Sequence, residues 1–360
     1  MTPEEFTRLR SIFDAAAELD AEQRERFLAD EASRNPEIVV RVRRLLGAPA
    51  EPLARVEQTI ASAFIATPGS RVDRYTLLAP LGDGGMGEVW LAEQQEPIRR
   101  RVALKMIKAG MDTKQVIARF DAERQALAML SHPAVAQVLD AGATEAGRPY
   151  FVMEYVEGAQ IDRYCDRKQL DVRKRLRLFQ RVCAGVQHAH DRTIIHRDLK
   201  PSNVLVTEVR GEALPKIIDF GIAKALARDA SPSIDVTQLG EVVGTPDYMS
   251  PEQLARGRAA VDTRSDVYSL GVILYELLTG SRPFARSSGR DRVSTTMAGS
   301  VRADPPPPSE SLRRSRTGED IARSRQARPS ELVEQLRGDL DWIVLKAVAA
   351  DPQRRYRSPL

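Results

Sequence analysis

The chain has little cysteine, little net charge and no long apolar run. Only Cys165 and Cys183 occur in 360 residues, and they form no Cys-x-x-Cys pair. That excludes a disulfide framework. Both thiols, in partly apolar helical stretches, read as reduced structural residues of a cytoplasmic protein. The 54 Lys and Arg nearly balance the 50 Asp and Glu, leaving a net charge of +4. So small a margin gives no argument for a nucleic-acid partner, although the pI is basic. No apolar stretch reaches the roughly 18 residues of a membrane-spanning helix. Met1-Thr2-Pro3-Glu4-Glu5 is acidic where a signal peptide is basic, so neither an anchor nor a leader is expected within this chain. Internal repeats are absent too. What is present, 42% apolar and 29% charged residues, suffices for a sizeable soluble core, and the length suits two domains or one bilobal one.

Residues 1–47 read as a helical prelude. Thr2-Pro3-Glu4-Glu5 has the form of a capping box with Pro at the first helical position. Phe6, Leu9, Phe13 and Ala16 then recur at helical spacing. Asp20 and Gln23 cap a second helix carrying Phe27 and Leu28. Asn35-Pro36 opens a third, with Ile38, Val42 and Leu45 on one face and Gly47 as its stop. A module this small is marginal alone and is expected to pack on its neighbour; a regulatory or docking role is the other reading. Residues 48–72, with Pro, Ala and Gly around one short apolar helix (Leu53, Val56, Ile60, Phe64), read as a linker.

From Asp73 the pattern changes to strands. Tyr75–Leu81 and Val89–Ala92 flank Gly82-Asp83-Gly84-Gly85-Met86-Gly87. Dinucleotide folds share Gly-x-Gly-x-x-Gly, but there it opens a helix, and here a strand follows. A glycine turn between strands makes a flap whose N–H groups close over phosphates, with no Cβ to hold the chain off. Arg101–Lys105 reads as a strand ending in a cation. A helix over about 112–131 follows, with Glu123 near its middle, placed to reach Lys105. Val135–Ala143 and Tyr150–Glu154 are two further strands, and Glu154–Gly158 is a connector that can offer backbone groups to an adenine edge.

Val172–Arg192 reads as a long helix with Leu176, Phe179, Val182, Cys183 and Val186 on its buried side. It delivers Ile195-His196-Arg197-Asp198-Leu199-Lys200-Pro201-Ser202-Asn203. Asp198 can accept a hydroxyl proton, Lys200 can neutralise a phosphate and Asn203 can hold a metal: the parts of a phosphoryl-transfer site. Lys216–Gly221 is an apolar strand ending in Asp219. Asp219 and Asn203 are the hard oxygen ligands expected to hold Mg2+, with phosphates supplying the rest. Residues 225–243 are polar and aperiodic, a mobile loop closed by Gly244-Thr245-Pro246-Asp247-Tyr248-Met249-Ser250-Pro251-Glu252. Asp266–Leu278 is a strongly apolar helix, central to its lobe. Residues 282–330, rich in Arg and Ser with a Pro305–Pro308 run, read as a flexible insertion. Helical patterning resumes at Leu332–Ala349.

Gly-rich flap, strand Lys, helix Glu, His-Arg-Asp loop, Asp-Phe-Gly and Ser-Pro-Glu follow one another in the order of a protein kinase. From Asp73 on, the chain resembles the bacterial branch of the eukaryotic-like serine/threonine protein kinases. The resemblance implies an α+β, bilobal protein-kinase fold over 73–360. A five-stranded antiparallel N-lobe with one helix (about 73–156) precedes a mainly helical C-lobe (about 157–360), with ATP in the cleft. Leu81, Gly82, Asp83, Gly84, Gly85, Met86 and Gly87 are then the phosphate flap. Val89, Ala103 and Leu205 sandwich the adenine. Met153 lies behind it, and Glu154 and Val156 give it backbone hydrogen bonds. Lys105 binds the α- and β-phosphates and pairs with Glu123. Asp198 orients and deprotonates the acceptor hydroxyl, Lys200 neutralises the moving phosphoryl group, and Asn203 and Asp219 hold Mg2+.

Lys200 beside Asp198, with Thr245, is the serine/threonine pattern, so the implied partners are proteins with Ser or Thr acceptors. Arg197 before Asp198 implies control by activation-loop phosphorylation, at Thr237 first and at Ser231 and Ser233 behind it, with self-association serving trans-autophosphorylation. Glu252 is expected to pair with Arg355. The family's last helix begins about there, so the chain as given reads as stopping short of it. Two other classes remain: a pseudokinase scaffold that binds nucleotide and signals by contacts, and a small-molecule phosphotransferase, which would lack the long loop ending Gly-Thr-Pro…Pro-Glu.

Overall fold

The computed structural model describes residues 66–84, 87–107, 129–144, 147–220, 246–254, 261–284 and 304–360 and, with gaps, 8–43. Phe6, Leu45, the apolar stretch from Leu53 to Phe64, Gly85, Met86, the helix with Glu123 and the loop with Ser231, Ser233, Thr237 and Thr245 lie outside the described residues.

In the prelude, α1 (Ala21–Ala32) starts at Asp20, whose Oδ1 accepts the Gln23 N–H at 2.9 Å. Leu9, Ile12, Ala16, Leu28, Val39 and Val42 bury one another in a cluster of their own. Of the residues expected on the inward face, Leu9, Ala16, Leu28 and Val42 are buried and Phe13, Phe27 and Ile38 partly so, while Ile12 and Val39 join them unexpectedly.

Next comes an antiparallel sheet of β1 (Arg71–Val72), β2 (Tyr75–Gly84), β3 (Gly87–Gln94), β4 (Arg100–Ile107), β5 (Val138–Ala143) and β6 (Pro149–Glu154), in the order β1-β2-β3-β4-β6-β5. It has one strand more than expected, and that strand lies inside the segment read as linker. The physical reason is local. Gly69 N donates to Leu77 O at 2.7 Å and Leu77 N to Ser70 O at 2.9 Å, and Val72 and Ala66 are buried in the sheet's core.

Strand alternation sorts the sheet into two faces. Trp90, Ala92, Val102, Leu104, Met106, Tyr150 and Val152 pack with Tyr75 and Leu77 on one. Val89, Leu91, Ala103, Lys105, Phe151 and Met153 alternate with these and share the other. There Val89 is opposite Lys105, Ala103 opposite Met153 and Lys105 opposite Phe151. Phe151 and Ile107 already belong to the main cluster of the second lobe, so the core runs on beneath the cleft.

The connector after β6 leads to β7 (Ala159–Gln160), α2 (Ile161–Arg167) and α3 (Val172–His190). It passes so close to the next hairpin that a Cβ on Gly158 would lie 2.6 Å from Val206 O. β8 (Val204–Val209) and β9 (Glu212–Ile217) make that hairpin, and β7 pairs with β8. After α4 (Pro251–Leu254) comes α5 (Thr263–Thr279). Asp262 caps α5, accepting the Arg264 N–H at 2.8 Å, and Gly280 closes it at φ 71°. α5 is buried on nearly every side, as its apolar run requires. The thiols of Cys165 and Cys183 are free and buried, and burial pushes them up to about 11 and about 12.

One expectation is corrected. The stretch 304–330 is not a flexible insertion: α6 (Pro308–Arg314) and α7 (Gly318–Arg323) lie in it, and α8 (Pro329–Leu336) begins in it. Pro308 starts α6 at the position where a missing N–H costs nothing. Asp341 accepts the Ser309 N–H at 2.9 Å and its hydroxyl at 2.5 Å. Leu312 and Ala322 are buried, and so is Arg325, whose guanidinium donates to Leu277 O at 2.8 Å and Ile321 O at 3.1 Å. Arginine-rich composition suggested solvent, but this arginine binds helix-end carbonyls. Residues 285–303 lie outside the described part. The 332–349 pattern is two helices, α8 and α9 (Asp339–Ala347), parted at Gly338 with φ 91°.

Candidate active site

α3 ends at His190, and the loop that follows is fastened to the start of α5 by one carboxylate. Asp266, wholly buried, accepts the His196 N–H at 2.8 Å and His190 Nε2–H at 2.7 Å on Oδ2. Its Oδ1 accepts the Arg197 N–H at 2.9 Å. Those bonds hold Arg197 at φ 64°, a left-handed conformation rare outside glycine and tolerated where the surroundings enforce it. The His196 ring, also wholly buried, lies 4.7 Å from the Phe220 ring. Nδ1 accepts the Asp198 N–H at 3.3 Å and Nε2 donates to Ile218 O at 3.2 Å. Burial holds its pKa below the usual value, so at neutral pH it is uncharged and its two nitrogens keep these separate roles. Gln253 of α4 donates to Arg197 O at 3.0 Å from below. On the protein-kinase pattern expected from the sequence, Asp266→Ala should lower kcat about 10²-fold through misplacement of Asp198, with KM for ATP little changed; steady-state kinetics on the folded variant check it.

The loop brings three expected residues together. Lys200 Nζ is 2.9 Å from Asp198 Oδ2. Asn203 Nδ2 donates to Asp198 O at 2.8 Å and Oδ2 at 3.2 Å. The Asn203 carbonyl accepts the Ile218 N–H at 2.9 Å, tying the loop to the segment that presents Asp219. Asp219 sits at φ 61° and forms an ion pair with Lys105, itself buried at 8% exposure on β4. Lys105 thus reaches across the cleft; its expected partner Glu123 lies outside the described residues.

The donor set fits Mg2+. The Asn203 amide nitrogen is committed to Asp198, so its oxygen is the atom available to a cation, and the Asp219 carboxylate is the other hard oxygen donor of the expected pair. Among the described residues no group of three or more His, Cys, Asp or Glu could hold a metal alone. A hard cation that takes two protein oxygens and completes its shell with phosphate and water needs no such group.

The residues expected to face the nucleotide lie on the inner face of the sheet and, for Leu205, on β8. Val89, Ala103 and Leu205 are half-buried and Met153 is buried behind them. The Glu154 carboxylate accepts from Lys216 Nζ at 2.9 Å and from the Gln137 N–H at 3.3 Å. Val156 is buried at the connector. On the flap, Leu81, Gly82 and Asp83 are exposed at the end of β2, and Gly82 and Gly84 pair with Val89 and Gly87 on β3. Gly87, at φ 155°, has no room for a side chain: a Cβ there would lie 2.1 Å from Met106 O.

The expected pair at the base of the C-lobe is present: Arg355 Nη1 and Nη2 lie 2.7 and 2.8 Å from the two oxygens of Glu252.

A glycine flap, a buried strand lysine, an Asp–Lys–Asn loop and a strand-end Asp in one cleft decide the family. The protein kinase domain family matches residues 75–354. The chain belongs to the protein kinase family. It is similar to bacterial members of that family. Serine/threonine-protein kinase PknB of Mycobacterium tuberculosis is 40% identical over 297 residues, 81% of this chain and 42% of that protein. Serine/threonine-protein kinase Pkn1 of Myxococcus xanthus is 36% identical over 293 residues, 81% of this chain and 37% of that one. The chain thus spans about two-fifths of the length of these curated relatives. The crystal structure of the M. tuberculosis PknI kinase domain is 26% identical with a TM-score of 0.55, covering 81% of this chain and 94% of that one.

Sequence reasoning assigned no role to Asp266, His190 or Gln253. A signal for Asp266 was there: it is the acid that opens an otherwise apolar helix, and a carboxylate carried into a core needs donors.

Proposed function

We propose that this protein kinase transfers the γ-phosphoryl group of ATP to serine and threonine hydroxyls of proteins, and of its own activation loop. The observation that carries the reading is Asp198 held between Lys200 and Asn203, in one cleft with the Lys105–Asp219 pair. The acceptor oxygen attacks the γ-phosphorus, the bond from that phosphorus to the β–γ bridging oxygen breaks, and ADP leaves. Asp198 orients the hydroxyl and takes its proton; Lys200 neutralises charge on the moving group. Lys105 binds the α- and β-phosphates. Mg2+, when bound by Asn203 and Asp219, screens the charge between the phosphates. Aligning two reactants in this way is the larger part of such a site's rate enhancement.

Lys200 with Thr245 supports the Ser/Thr class, and so does the likeness to bacterial serine/threonine-protein kinases. Arg197 supports control by loop phosphorylation: among the described residues its buried Nε has no hydrogen-bond partner, a donor suited to a phosphate from Thr237, Ser231 or Ser233. Trans-autophosphorylation by two copies belongs to the same reading. So does a cytoplasmic location, in keeping with two free, buried thiols. Among the described residues no helix is long and apolar enough to cross a membrane.

The test is mass mapping of phosphosites after incubation with MgATP, beside Asp198→Asn. The expected result is phosphate on Thr237 or its serine neighbours in the active chain only. Equal phosphate in both proteins would overturn the enzyme reading, and a Thr237→Ala chain that turns over substrate like wild type would overturn the choice of Thr237.

A further inference from the structure

Arg148 stands where the β5–β6 turn enters β6. Thr144 N donates to Arg148 O at 2.9 Å and Arg148 N to Thr144 Oγ1 at 3.1 Å, so the turn fixes its backbone. Its guanidinium, 13% exposed, reaches two other strands. Nε donates to the carbonyl of Ile107, the last residue of β4, at 2.5 Å. Nη2 donates to Glu88 Oε1 on β3 at 3.1 Å. The second Glu88 oxygen accepts the Trp90 indole N–H at 3.2 Å, which sets the carboxylate's direction.

Both strands carry phosphate-handling groups close to these contacts. Gly87 of the flap precedes Glu88, and Lys105 lies two residues before Ile107. Glu88 faces Met106 across the ladder, and Met106 O is the atom that bars a side chain at Gly87. Glu88 alternates with Gly87 and Val89, so Arg148 works on the sheet face away from the cleft and touches no nucleotide. The ion pair is partly screened, since Glu88 keeps 31% exposure. The bond to the Ile107 carbonyl is not, because Ile107 is buried.

We propose that Arg148 is a positioning residue for the triphosphate: it clamps the stem of the glycine flap to the end of the lysine strand, so that flap and Lys105 meet the phosphates at a fixed separation. This rests on the ATP-binding reading above. Without the clamp the hairpin and β4 still pair, and the adenine walls Val89, Ala103 and Leu205 stay where they are. What loosens is the end of the cleft that holds phosphate.

The test compares two ligands and two kinetic constants on the same chain. Arg148→Met is expected to raise KM for MgATP about tenfold, the worth of one charge-assisted hydrogen bond. It should leave kcat within about twofold and the affinity for adenosine, which lacks phosphates, unchanged. Arg148→Lys, which keeps the charge but reaches one acceptor, falls between, and Glu88→Gln raises KM for ATP in the same sense. Equal weakening of ATP and adenosine in Arg148→Met would show a merely structural arginine, and an unchanged KM for ATP would show no clamp; either overturns the proposal. If Arg148→Met does not fold, Glu88→Gln decides by the same pair of affinities. A wild-type chain that binds adenosine and ATP equally poorly is a different result: it sinks the kinase reading itself.

Discussion

Asp198→Asn is expected to cut phosphoryl transfer by ~10³-fold or more while ATP affinity stays within about twofold. The swap keeps the side chain's shape, so the loop pinned by Asp266 and Asn203 has no reason to move. It removes the carboxylate that faces Lys200 at 2.9 Å and that, in the proposed reaction, takes a proton from the acceptor hydroxyl. An amide nitrogen placed toward Lys200 repels that ammonium, and an amide oxygen placed there is too weak a base to receive the proton. The nucleotide is held by other residues: the flap, Lys105 and the adenine walls. Initial rates with labelled ATP and a generic basic protein, with calorimetry for ATP, separate the two effects. A variant within tenfold of wild-type rate would remove Asp198 from its role as base, and a variant that has also lost ATP would point to a collapsed cleft.

The second large effect concerns stability. Arg355→Met is expected to destabilise the C-lobe by about 3–5 kcal/mol, the typical cost of stranding one member of a buried ion pair. Arg355 has all its donors engaged. Nε binds Ala349 O at 2.7 Å, Nη1 binds Glu252 and Arg264 O, and Nη2 binds Glu252 and Ala350 O. The guanidinium also stands 4.9 Å over the Tyr268 ring. Its loss frees three carbonyls and takes from Glu252 its one cationic partner among the described residues, leaving the Ser265 hydroxyl at 2.7 Å. Against a typical stability of 5–15 kcal/mol, denaturant midpoints will show such a loss plainly; a midpoint unchanged within error would mean the pair is dispensable.

The same pair predicts an acid limb. Burial alone would raise the Glu252 pKa, but Arg355 and Ser265 hold it at about 2, below the ordinary value of 4.5. The folded value lies below the unfolded one, so this stabilisation is fully present above about pH 4.5 and is lost as pH falls toward about 2. Wild type and Arg355→Met should therefore differ most near neutrality and converge in acid.

How legible all this was depends on where each residue's partners come from. That Asp198, Lys200 and Asn203 share a loop with the Lys105–Asp219 pair nearby follows a pattern in which phosphoryl transfer sets both residue type and order along the chain. Arg355 with Glu252 could be read through the family resemblance. Asp266 stands out only as an acid at the head of an apolar helix; its partners are hidden, because its oxygens accept from backbone N–H groups that lie about 70 positions away and come together only once α3 and α5 have packed. The stretch around Arg325, expected to be a flexible insertion, differs for a related reason. Composition counts an arginine as solvent-seeking, whereas here helix-end carbonyls supply its hydrogen bonds. Arg148 sits in a turn whose sequence says nothing of β3 or β4. Short strand β1 escaped because two residues carry no alternation, and register alone reveals it.

One helix does two jobs here. α5 fills the centre of the larger lobe, and through Asp266 it also holds the backbone at His196 and Arg197. The catalytic loop therefore cannot melt as a separate local unit, as surface loops commonly do. Its opening requires the helix end to shift, and that end is packed into the core. Loss of the proposed kinase activity on heating should then be abrupt and should coincide with the loss of the lobe, with no temperature interval in which a folded but catalytically slack protein accumulates.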